Sequence, residues 1–528
     1  MDAASTTSLD LPRFRFPGRV NATSLVVGLT TLALLMRLGH IGSRPLWLDE
    51  AFSQWFSSQS FHYLWTVVPT YEVHPPFYYS LLKTWRWIAG DSSFALRSLS
   101  LLFAIATIPI VIAIGLEQER QDETGRPLLR AGVAAFLAAC SPMLITTGQE
   151  VRPYPLVAFA FSIAILGLFR LRRQFAGGGS GEWSSWLLLA SGTELSLWAH
   201  GLGLLYALAL ALALAPSWLQ APVSRQRLIR GACTAGAIAL AYLPCLMMIA
   251  ARAGDWGANW LAWEPALFFP QLLALYTVPV EALSIGTAVT AMAMAVLIKR
   301  AMETGWKAQG WSAKRVTLIL WLAPPLIAAI ISALFIPIFL ARTLSATLIP
   351  GYLAMGAAIA RTPSAKERQW LTAAICITLL PTALVYSLRP AAERWDLAAS
   401  YLSRNVGPAD QVWLYPADSA LPIAATGIKL PGVTRAVPEA FPTLSFKGPI
   451  RAGWPAVVSL TPQQAAGFAN DPKIGAVPRI WLVTRQSGIF DPAGDMPAAL
   501  SKSRQPGAVE RWGYIAVQPF ALPPGRGR

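Results

Sequence analysis

The sequence predicts an all-α polytopic membrane protein with about eleven transmembrane helices, followed by a small α/β domain outside the membrane. Of its 528 residues, 54% are hydrophobic and 13% are charged, whereas a soluble domain carries about 25% charged residues. Apolar runs of membrane-spanning length recur between residues 22 and 388. Beyond residue 389 the chain has strand-like runs between Pro- and Gly-rich breaks, which is typical of a small globular domain.

A helix needs about 20 apolar residues to cross a bilayer. This criterion predicts spans near residues 22–42, 93–115, 131–147, 155–171, 185–200, 202–219, 231–250, 280–298, 316–336, 343–360 and 370–388. The predicted organisation is a cytoplasmic leader at 1–21, a transmembrane domain at 22–388 with its first outer loop at 43–92, and a C-terminal domain at 389–528. No small-residue cleavage site follows the first run, so we expect a retained helix.

The net charge of +16 is concentrated in short loops between the apolar runs. Basic loops alternate with less basic ones along the chain, at residues 170–173, 225–230, 299–315 and 361–368. This alternation is the positive-inside pattern, so the charge indicates membrane orientation and not a nucleic-acid-binding surface. It places the N-terminus inside, and the loop at 43–92 and the C-terminal domain outside.

The cysteines predict neither a disulfide framework nor a metal site. All four lie in apolar runs, and the C-terminal domain has none: they are Cys140, Cys233, Cys245 and Cys376. No phosphate-binding Gly-rich motif or dinucleotide turn occurs either. We therefore expect the energy for any reaction to arrive in a membrane-borne donor and not in a nucleotide.

The first outer loop is rich in aromatic residues at near-helical spacing on both sides of Pro75-Pro76. This pattern predicts two short amphipathic helices on the outer membrane surface, separated where the prolines break the chain. In the C-terminal domain, alternating apolar residues predict strands at 412–415 and 480–484, with a helix at 396–402 before them.

Charged residues are scarce, yet the first outer loop carries three carboxylates and an imidazole: Asp49, Glu50, Glu72 and His74. A carboxylate at a membrane surface is costly without a partner or a function. The set could supply a general base with polar groups that orient it. Alternatively, Asp49, Glu72 and His74 could bind a divalent cation. For Asp49 and Glu50 alone, a helix cap beside a solvated glutamate is the simpler interpretation.

Polar residues at other predicted outer ends are candidates for substrate binding. They are Lys83, Glu150, Arg152, Tyr154, His200 and Arg342. Arg342 suits a phosphate because a guanidinium stays charged and forms bidentate hydrogen bonds, although an arginine at a helix end can also simply extend to the interface. Glu150 and Arg152 could instead pair with each other, and an isolated histidine such as His200 is usually structural.

Taken in order, several motifs resemble those of the membrane-embedded GT-C glycosyltransferases, the superfamily of protein O-mannosyltransferases and of the aminoarabinose transferase of lipid A. The motifs are Leu48-Asp49-Glu50-Ala51, Glu72-Val73-His74-Pro75-Pro76, Gln149-Glu150-x-Arg152-x-Tyr154, Trp198-Ala199-His200-Gly201 and Phe339-x-x-Arg342. The resemblance covers about residues 25–400. Two positions differ: Glu72 stands where the mannosyltransferases have Asp, and Thr343 stands where many relatives have an aromatic residue.

The resemblance implies an inverting transferase that uses a polyprenyl-phosphate-linked sugar as donor and a lipid or glycan as acceptor. Asp49, with Glu50 beside it, would be catalytic, and Asp49 would deprotonate the acceptor hydroxyl. Arg342 and Lys83 would hold the departing phosphate, because fixed cations stabilise the charge that develops there. The site would face the periplasm from a bacterial inner membrane. A divalent cation is the one cofactor that this interpretation leaves open.

Transport of a lipid-linked saccharide is the alternative from a different functional class. Transporters commonly place polar residues at mid-membrane in broken helices, and many have internal repeats. In this sequence the candidate residues cluster at one predicted face and no repeat is evident, which favours the transferase.

Overall fold

The computed structural model describes residues 21–70, 72, 74–122, 124–219, 224–251, 263–276, 285–308, 310–437 and 460–523. The predicted leader, apart from residue 21, therefore lies outside the described residues. So do residues 438–459 and 524–528 of the predicted C-terminal domain.

Helices form most of the described chain. The first ten are α1 (Ala22–Leu38), α2 (Leu48–Ser58), α3 (Phe61–Thr66), α4 (Phe77–Ala89), α5 (Ser93–Asp122), α6 (Pro127–Cys140), α7 (Pro142–Gly148), α8 (Tyr154–Ala176), α9 (Trp183–Ala199) and α10 (Gly203–Leu219). They are followed by α11 (Arg225–Ala250), α12 (Phe268–Tyr276), α13 (Ile285–Trp306), α14 (Ala313–Leu334), α15 (Leu348–Arg361) and α16 (Ala365–Ser387). A 3-10 helix, Ala341–Thr347, leads directly into α15.

The chain is a polytopic helical membrane protein, as predicted. Each predicted apolar run falls on a described helix, and the run at 131–147 falls on α6 and α7, which meet at 57°. By length and composition, six described helices can cross a membrane, or seven if this bent pair is one span. Helices α1, α9 and α10 have 17 residues each, which is short of the ~20 that a span requires. The criterion thus selects fewer helices than the eleven predicted.

Helices α8 and α9 pack unusually closely because glycines lie between them. A Cβ on Gly192 would lie 2.5 Å from the carbonyl oxygen of Ala160, and one on Gly167 would lie 2.6 Å from the backbone nitrogen of Leu189. Only glycine permits backbones to approach this closely. The packing brings the beginning of α8 beside the end of α9, and both ends contribute to the site described below.

The first outer loop forms three helices, α2 to α4, where the sequence predicted two. The first predicted helix is divided at Ser60, because the Ser60 side chain accepts a hydrogen bond from the backbone N–H of Tyr63 and so begins α3. Trp55 and Phe56 are buried against the membrane domain. The loop is therefore part of the packed core, and α2 is held rigidly enough to carry functional side chains.

The C-terminal region contains a six-stranded mixed sheet. Its strands are β1 (Gln411–Tyr415), β2 (Val433–Ala436), β3 (Arg479–Arg485), β4 (Gln505–Pro506), β5 (Glu510–Trp512) and β6 (Ile515–Ala521). The order is β2-β1-β3-β6-β4, with β5 also paired to β6. Strand β1 is parallel to β2 and β3, and β6 is antiparallel to β3. The two predicted strands are confirmed as β1 and β3.

Short helices pack around this sheet: α17 (Trp395–Asn405), α18 (Ala420–Ala425), α19 (Pro462–Ala469), α20 (Ser487–Phe490) and α21 (Asp495–Ser501). Successive residues of a strand point to opposite faces. Accordingly, Trp413 and Leu482 belong to one apolar cluster and Val412 and Trp481 to another. The predicted helix at 396–402 is confirmed within α17.

Candidate active site

Asp49 lies in the first turn of α2, at the end of the membrane domain where α1 ends and α8 begins. Its Oδ2 atom is 3.1 Å from Nη2 of Arg342 and 3.9 Å from Nη2 of Arg152. The positive end of the α2 dipole also favours a carboxylate at this position. The Asp49 side chain is 21% exposed, so its carboxylate is held by two cations and is still accessible.

The two arginines come from elements far apart in the sequence. Arg342 is in the 3-10 helix before α15, and its guanidinium lies 5.2 Å from the centre of the Trp47 ring. Arg152 is in the turn before α8, lies 5.7 Å from the Tyr154 ring, and donates from Nη1 to the backbone carbonyl of Asp49 at 3.4 Å. The fold therefore assembles a carboxylate and two guanidiniums with aromatic walls.

Two histidines complete the cluster. The rings of His74 and His200 are 4.3 Å apart. Nε2 of His74 accepts from Nη2 of Arg152 at 3.4 Å, and Nδ1 of His200 accepts from the backbone N–H of Leu202 at 3.0 Å. Burial, together with the neighbouring His200 and Arg152, lowers the pKa of His74 well below its usual range. Burial and the nearby Arg152 and Arg342 lower the pKa of His200 to about 3.

Both histidines are therefore neutral at pH 7, and each carries its proton on the other ring nitrogen. These are Nδ1 of His74 and Nε2 of His200, which are buried and have no hydrogen-bond partner among the described residues. Nε1 of Trp47 is also buried without a hydrogen-bond partner among the described residues. Buried donors without partners are costly. Trp47 and His74 lie against the two arginines that contact Asp49, and His200 lies against His74, so these N–H groups are available to a polar ligand at this cluster.

Glu72 lies beside His74, as the sequence predicted for this motif. One of its carboxylate oxygens accepts from the backbone N–H of His74 at 3.0 Å and lies 4.0 Å from Nε2 of the same residue. The described residues contain no group of three or more His, Cys, Asp or Glu side chains placed to hold a metal ion. The predicted cation ligands Asp49, Glu72 and His74 thus do not form a ligand set, and the Asp49 carboxylate faces arginines instead.

The structure corrects the assignment of Glu50 as a catalytic residue. Its side chain is fully buried, and it forms a two-pronged ion pair with Arg97 at 2.6 and 2.7 Å. It also accepts from the backbone N–H of Val151 at 2.9 Å. Arg97 in turn donates to the carbonyls of Ile41, Arg44 and Pro45. Glu50 therefore joins the start of α2 to α5 and to the turn before α8.

Lys83 is also placed differently from the prediction. Its ammonium lies 5.7 Å from the ring centres of both Phe61 and Trp87. Among the described residues, no contact joins it to Asp49 or Arg342. The Lys83 side chain therefore lies as a cation over surface aromatic rings. Arg152, and not Lys83, is the second cation beside Asp49.

Glu150 and Arg152 do not pair through their side chains. Glu150 lies 3.8 Å from Arg389, and burial raises the pKa of the Glu150 carboxyl group. Gln149 accepts from Arg44 and Arg389 and donates to the backbone carbonyls that end α1 and α16. These hydrogen bonds of Gln149 hold the turn that carries Arg152 in place.

Sequence reasoning missed the site roles of Trp47, Arg97, Gln149 and Arg389. Arg97 offered a usable signal, because an arginine within an apolar run of a membrane protein needs a partner. Glu50 is that partner. Arg389 follows α16 directly, but nothing in its local sequence indicates that it reaches Gln149, 240 positions earlier.

Comparisons with known proteins support this architecture. No family model matches the chain, and no curated protein matches it. Among solved structures, ArnT from Cupriavidus metallidurans bound to undecaprenyl phosphate aligns with 94% of this chain and 98% of its own, at 13% identity and a TM-score of 0.58. In the apo state the same protein gives 14% identity and a TM-score of 0.57, with the same coverage.

An oligosaccharyltransferase from Archaeoglobus fulgidus, in complex with Zn and sulfate, aligns with 95% of this chain and 74% of its own, at 14% identity and a TM-score of 0.54. These proteins are GT-C glycosyltransferases. The chain is therefore a polytopic membrane protein with the GT-C fold. Identities this low establish the fold, and the activity has to be argued from the site itself.

Proposed function

We propose that this protein is an inverting glycosyltransferase that moves a sugar from a polyprenyl-phosphate donor to a hydroxyl group of a lipid or glycan. The observation that carries the proposal is the placement of Asp49 between the guanidiniums of Arg342 and Arg152. A base for the acceptor and cations for the leaving phosphate are the two groups that this displacement needs.

In the proposed reaction the acceptor hydroxyl gives its proton to the Asp49 carboxylate as its oxygen attacks the anomeric carbon. The bond between that carbon and the phosphate oxygen breaks, and its electron pair leaves with the polyprenyl phosphate. Attack from the face opposite the phosphate inverts the anomeric centre. Because negative charge grows on the phosphate, Arg342 stabilises the transition state more than the ground state.

The remaining groups have distinct roles in this proposal. Arg342 hydrogen-bonds Asp49 in the present structure, so the donor phosphate would compete for the guanidinium and release the carboxylate to accept a proton. Arg152 lies 3.9 Å from the Asp49 carboxylate and donates to the Asp49 backbone carbonyl, so it holds the base in position. The unpartnered N–H groups of His74, His200 and Trp47 are placed to donate to sugar hydroxyls or phosphate oxygens, since both histidines stay neutral.

The ligands of the structural neighbours agree with this donor class. ArnT was solved with undecaprenyl phosphate, and the archaeal oligosaccharyltransferase AglB was solved with a dolichol-phosphate and an inhibitory peptide. We propose a polyprenyl phosphate for this chain on the strength of its own arginine pair. We also propose that the site faces the periplasm from a bacterial inner membrane, because the basic loops lie at the opposite ends of the helices.

The test is sugar transfer by the purified protein in detergent. Radiolabelled polyprenyl-phosphate hexoses, pentoses and amino sugars would be offered with extracted envelope lipids and glycans as acceptors. Wild type should release polyprenyl phosphate and label an acceptor, and Asp49→Asn should lose at least about 10²-fold in kcat, the usual contribution of a general base. Asp91→Asn is the matched control, since Asp91 is an exposed acid of the same loop that pairs with Arg86.

Three outcomes discriminate between the functions. Turnover by wild type and Asp91→Asn alone supports the proposal and identifies the donor. Equal turnover by Asp49→Asn would remove Asp49 as the base. Movement of intact lipid-linked sugar across a proteoliposome membrane, with no bond cleavage by any variant, would replace the transferase with the transporter.

A further inference from the structure

The helix that carries Asp49 is capped by a residue 345 positions later in the chain. The backbone N–H of Leu48, the first residue of α2, donates to Oε2 of Glu393 at 3.1 Å. Leu48 directly precedes Asp49. Glu393 is 3% exposed and lies in the segment that joins α16 to the C-terminal sheet region.

This cap adds to a local one, in which the Glu50 side chain accepts from the backbone N–H of Trp47 at 3.3 Å. The first N–H groups of a helix have no partner within the helix, and a side chain just before the helix usually accepts from one of them. The residue in that position is Trp47, whose indole is a donor only. The Leu48 N–H is at the first helical position, which an N-cap side chain does not reach, so its acceptor comes from elsewhere, and a carboxylate suits the positive end of the helix dipole.

Glu393 is itself held by the C-terminal region. The Trp395 indole N–H donates to the same Oε2 atom at 2.8 Å. Nη1 of Arg485, the last residue of β3, lies 3.6 Å from Oε1. Nη2 of Arg485 donates to Asp418, just beyond β1, at 3.0 Å. The carboxyl ends of two neighbouring parallel strands thus anchor the carboxylate that caps α2.

We infer that Glu393 is a positioning residue through which the C-terminal sheet region sets the position of Asp49. The inference rests on the proposed function, since it takes Asp49 as the base. Glu50 and Arg152 still hold the first turn of α2 when the Leu48 cap is lost, so the effect is a small shift of the Asp49 carboxylate relative to Arg342 and the acceptor. Donor binding should change less than turnover, because Arg342 belongs to a different element and keeps its position when α2 shifts.

The test compares Glu393→Ala with Glu393→Gln. The alanine variant removes the acceptor from the Leu48 N–H, whereas the glutamine amide oxygen can still accept from it. We expect Glu393→Ala to lower kcat about tenfold or more, in keeping with the cost of a small misplacement of a catalytic group, with the KM for the donor within about twofold. Glu393→Gln should recover most of kcat. Asp471→Ala is the control, because it breaks an acid–arginine contact with Arg435 in the same region.

Hydrogen exchange of the Leu48 amide supplies a readout that does not depend on turnover. Protection should be lost in Glu393→Ala and retained in Glu393→Gln and Asp471→Ala. Unchanged protection and kcat in Glu393→Ala would overturn the inference while leaving the transferase intact. A wild type inactive with every donor would count against the proposed function alone, since the exchange data would still decide whether Glu393 holds α2. Equal losses in kcat and thermal stability in all three variants would mean a general structural role.

Discussion

The two ends of the membrane domain each contain arginines and carboxylates, but the central ion pair is partly exposed at one end and buried at the other. At the end that carries Asp49, the Asp49 and Arg342 side chains are 21% and 30% exposed. At the opposite end, Arg130 is 1% exposed and Asp122 is 4% exposed. Arg130 there contacts Asp122 at 2.9 Å and Gln118 at 3.0 Å. Similar charges thus form an accessible cluster at one end and a sealed network at the other.

The difference shows how charge in this protein divides between structure and chemistry. In the sealed network the Asp122 carboxylate contacts Arg130 and Arg361, as a buried charge requires, although Nε of Arg130 has no hydrogen-bond partner among the described residues. In the open cluster the N–H groups of Trp47, His74 and His200 have no partner among the described residues. Unpaired donors are costly at either end, but at the open end Asp49 and Arg342 are accessible, so a ligand can reach the donors beside them.

The largest expected effect concerns the sealed end. Arg130→Ala leaves Asp122 buried with a weaker contact to Arg361 at 3.8 Å, and breaking a buried pair costs about 3–5 kcal/mol. Glu50→Ala leaves Arg97 buried without its carboxylate partner. It should therefore lower the free energy of unfolding by a similar amount, even though Glu50 is next to Asp49. Unfolding in mixed detergent micelles measures both. A loss below about 1 kcal/mol in either variant would mean that these pairs are not structural.

The second prediction concerns the role of Arg342 in turnover at the open end. Arg342→Ala should keep the fold but lower kcat by about 10²–10³-fold, as expected on removing a group that stabilises transition-state charge. Lys83→Ala is the matched control and should leave kcat unchanged, because Lys83 lies over Phe61 and Trp87. Parallel kinetics and thermal unfolding test this pair. Equal activity losses in the two variants would restore Lys83 to the site.

The smallest effect is a dependence of stability on pH. With the pKa of His200 lowered to about 3 by burial and the nearby arginines, the unfolded chain binds one proton more than the folded chain between that value and about 6.5. Stability should therefore fall as the pH falls below 6.5, by at most about 1.4 kcal/mol per pH unit from this residue.

The pKa of His74 is also lowered, so His74 makes stability depend on pH in the same direction. Replacing His200 should therefore remove only part of the slope of stability against pH. Thermal unfolding of wild type and His200→Phe between pH 8 and about pH 4.5 measures it. Identical slopes in the two proteins would mean that His200 is protonated in the folded state. His62→Phe is the control, because His62 lies on the exposed surface of α3.

Much of the site was accessible from sequence because charge is rare in this chain. Asp49, Glu72, His74, Arg152, Tyr154, His200 and Arg342 were all selected from motifs at predicted outer ends, and the structure brings them together. Glu50 and Lys83 were selected by the same reasoning and do not join them. A motif identifies a polar side chain near a helix end, but it does not say whether that side chain points to a ligand or to a structural partner.

The membrane class, the positions of the helices and the two main C-terminal strands could all be predicted from the amino-acid sequence. Each of these depends on local apolar periodicity and on the length of a bilayer span. Only the tertiary structure decided which charges are sealed and which are open. The same structure pairs Glu50 with Arg97, brings Arg152 and Arg342 together at Asp49, and caps the helix that carries Asp49 with Glu393. These contacts join residues tens to hundreds of positions apart, and no local pattern encodes such distances.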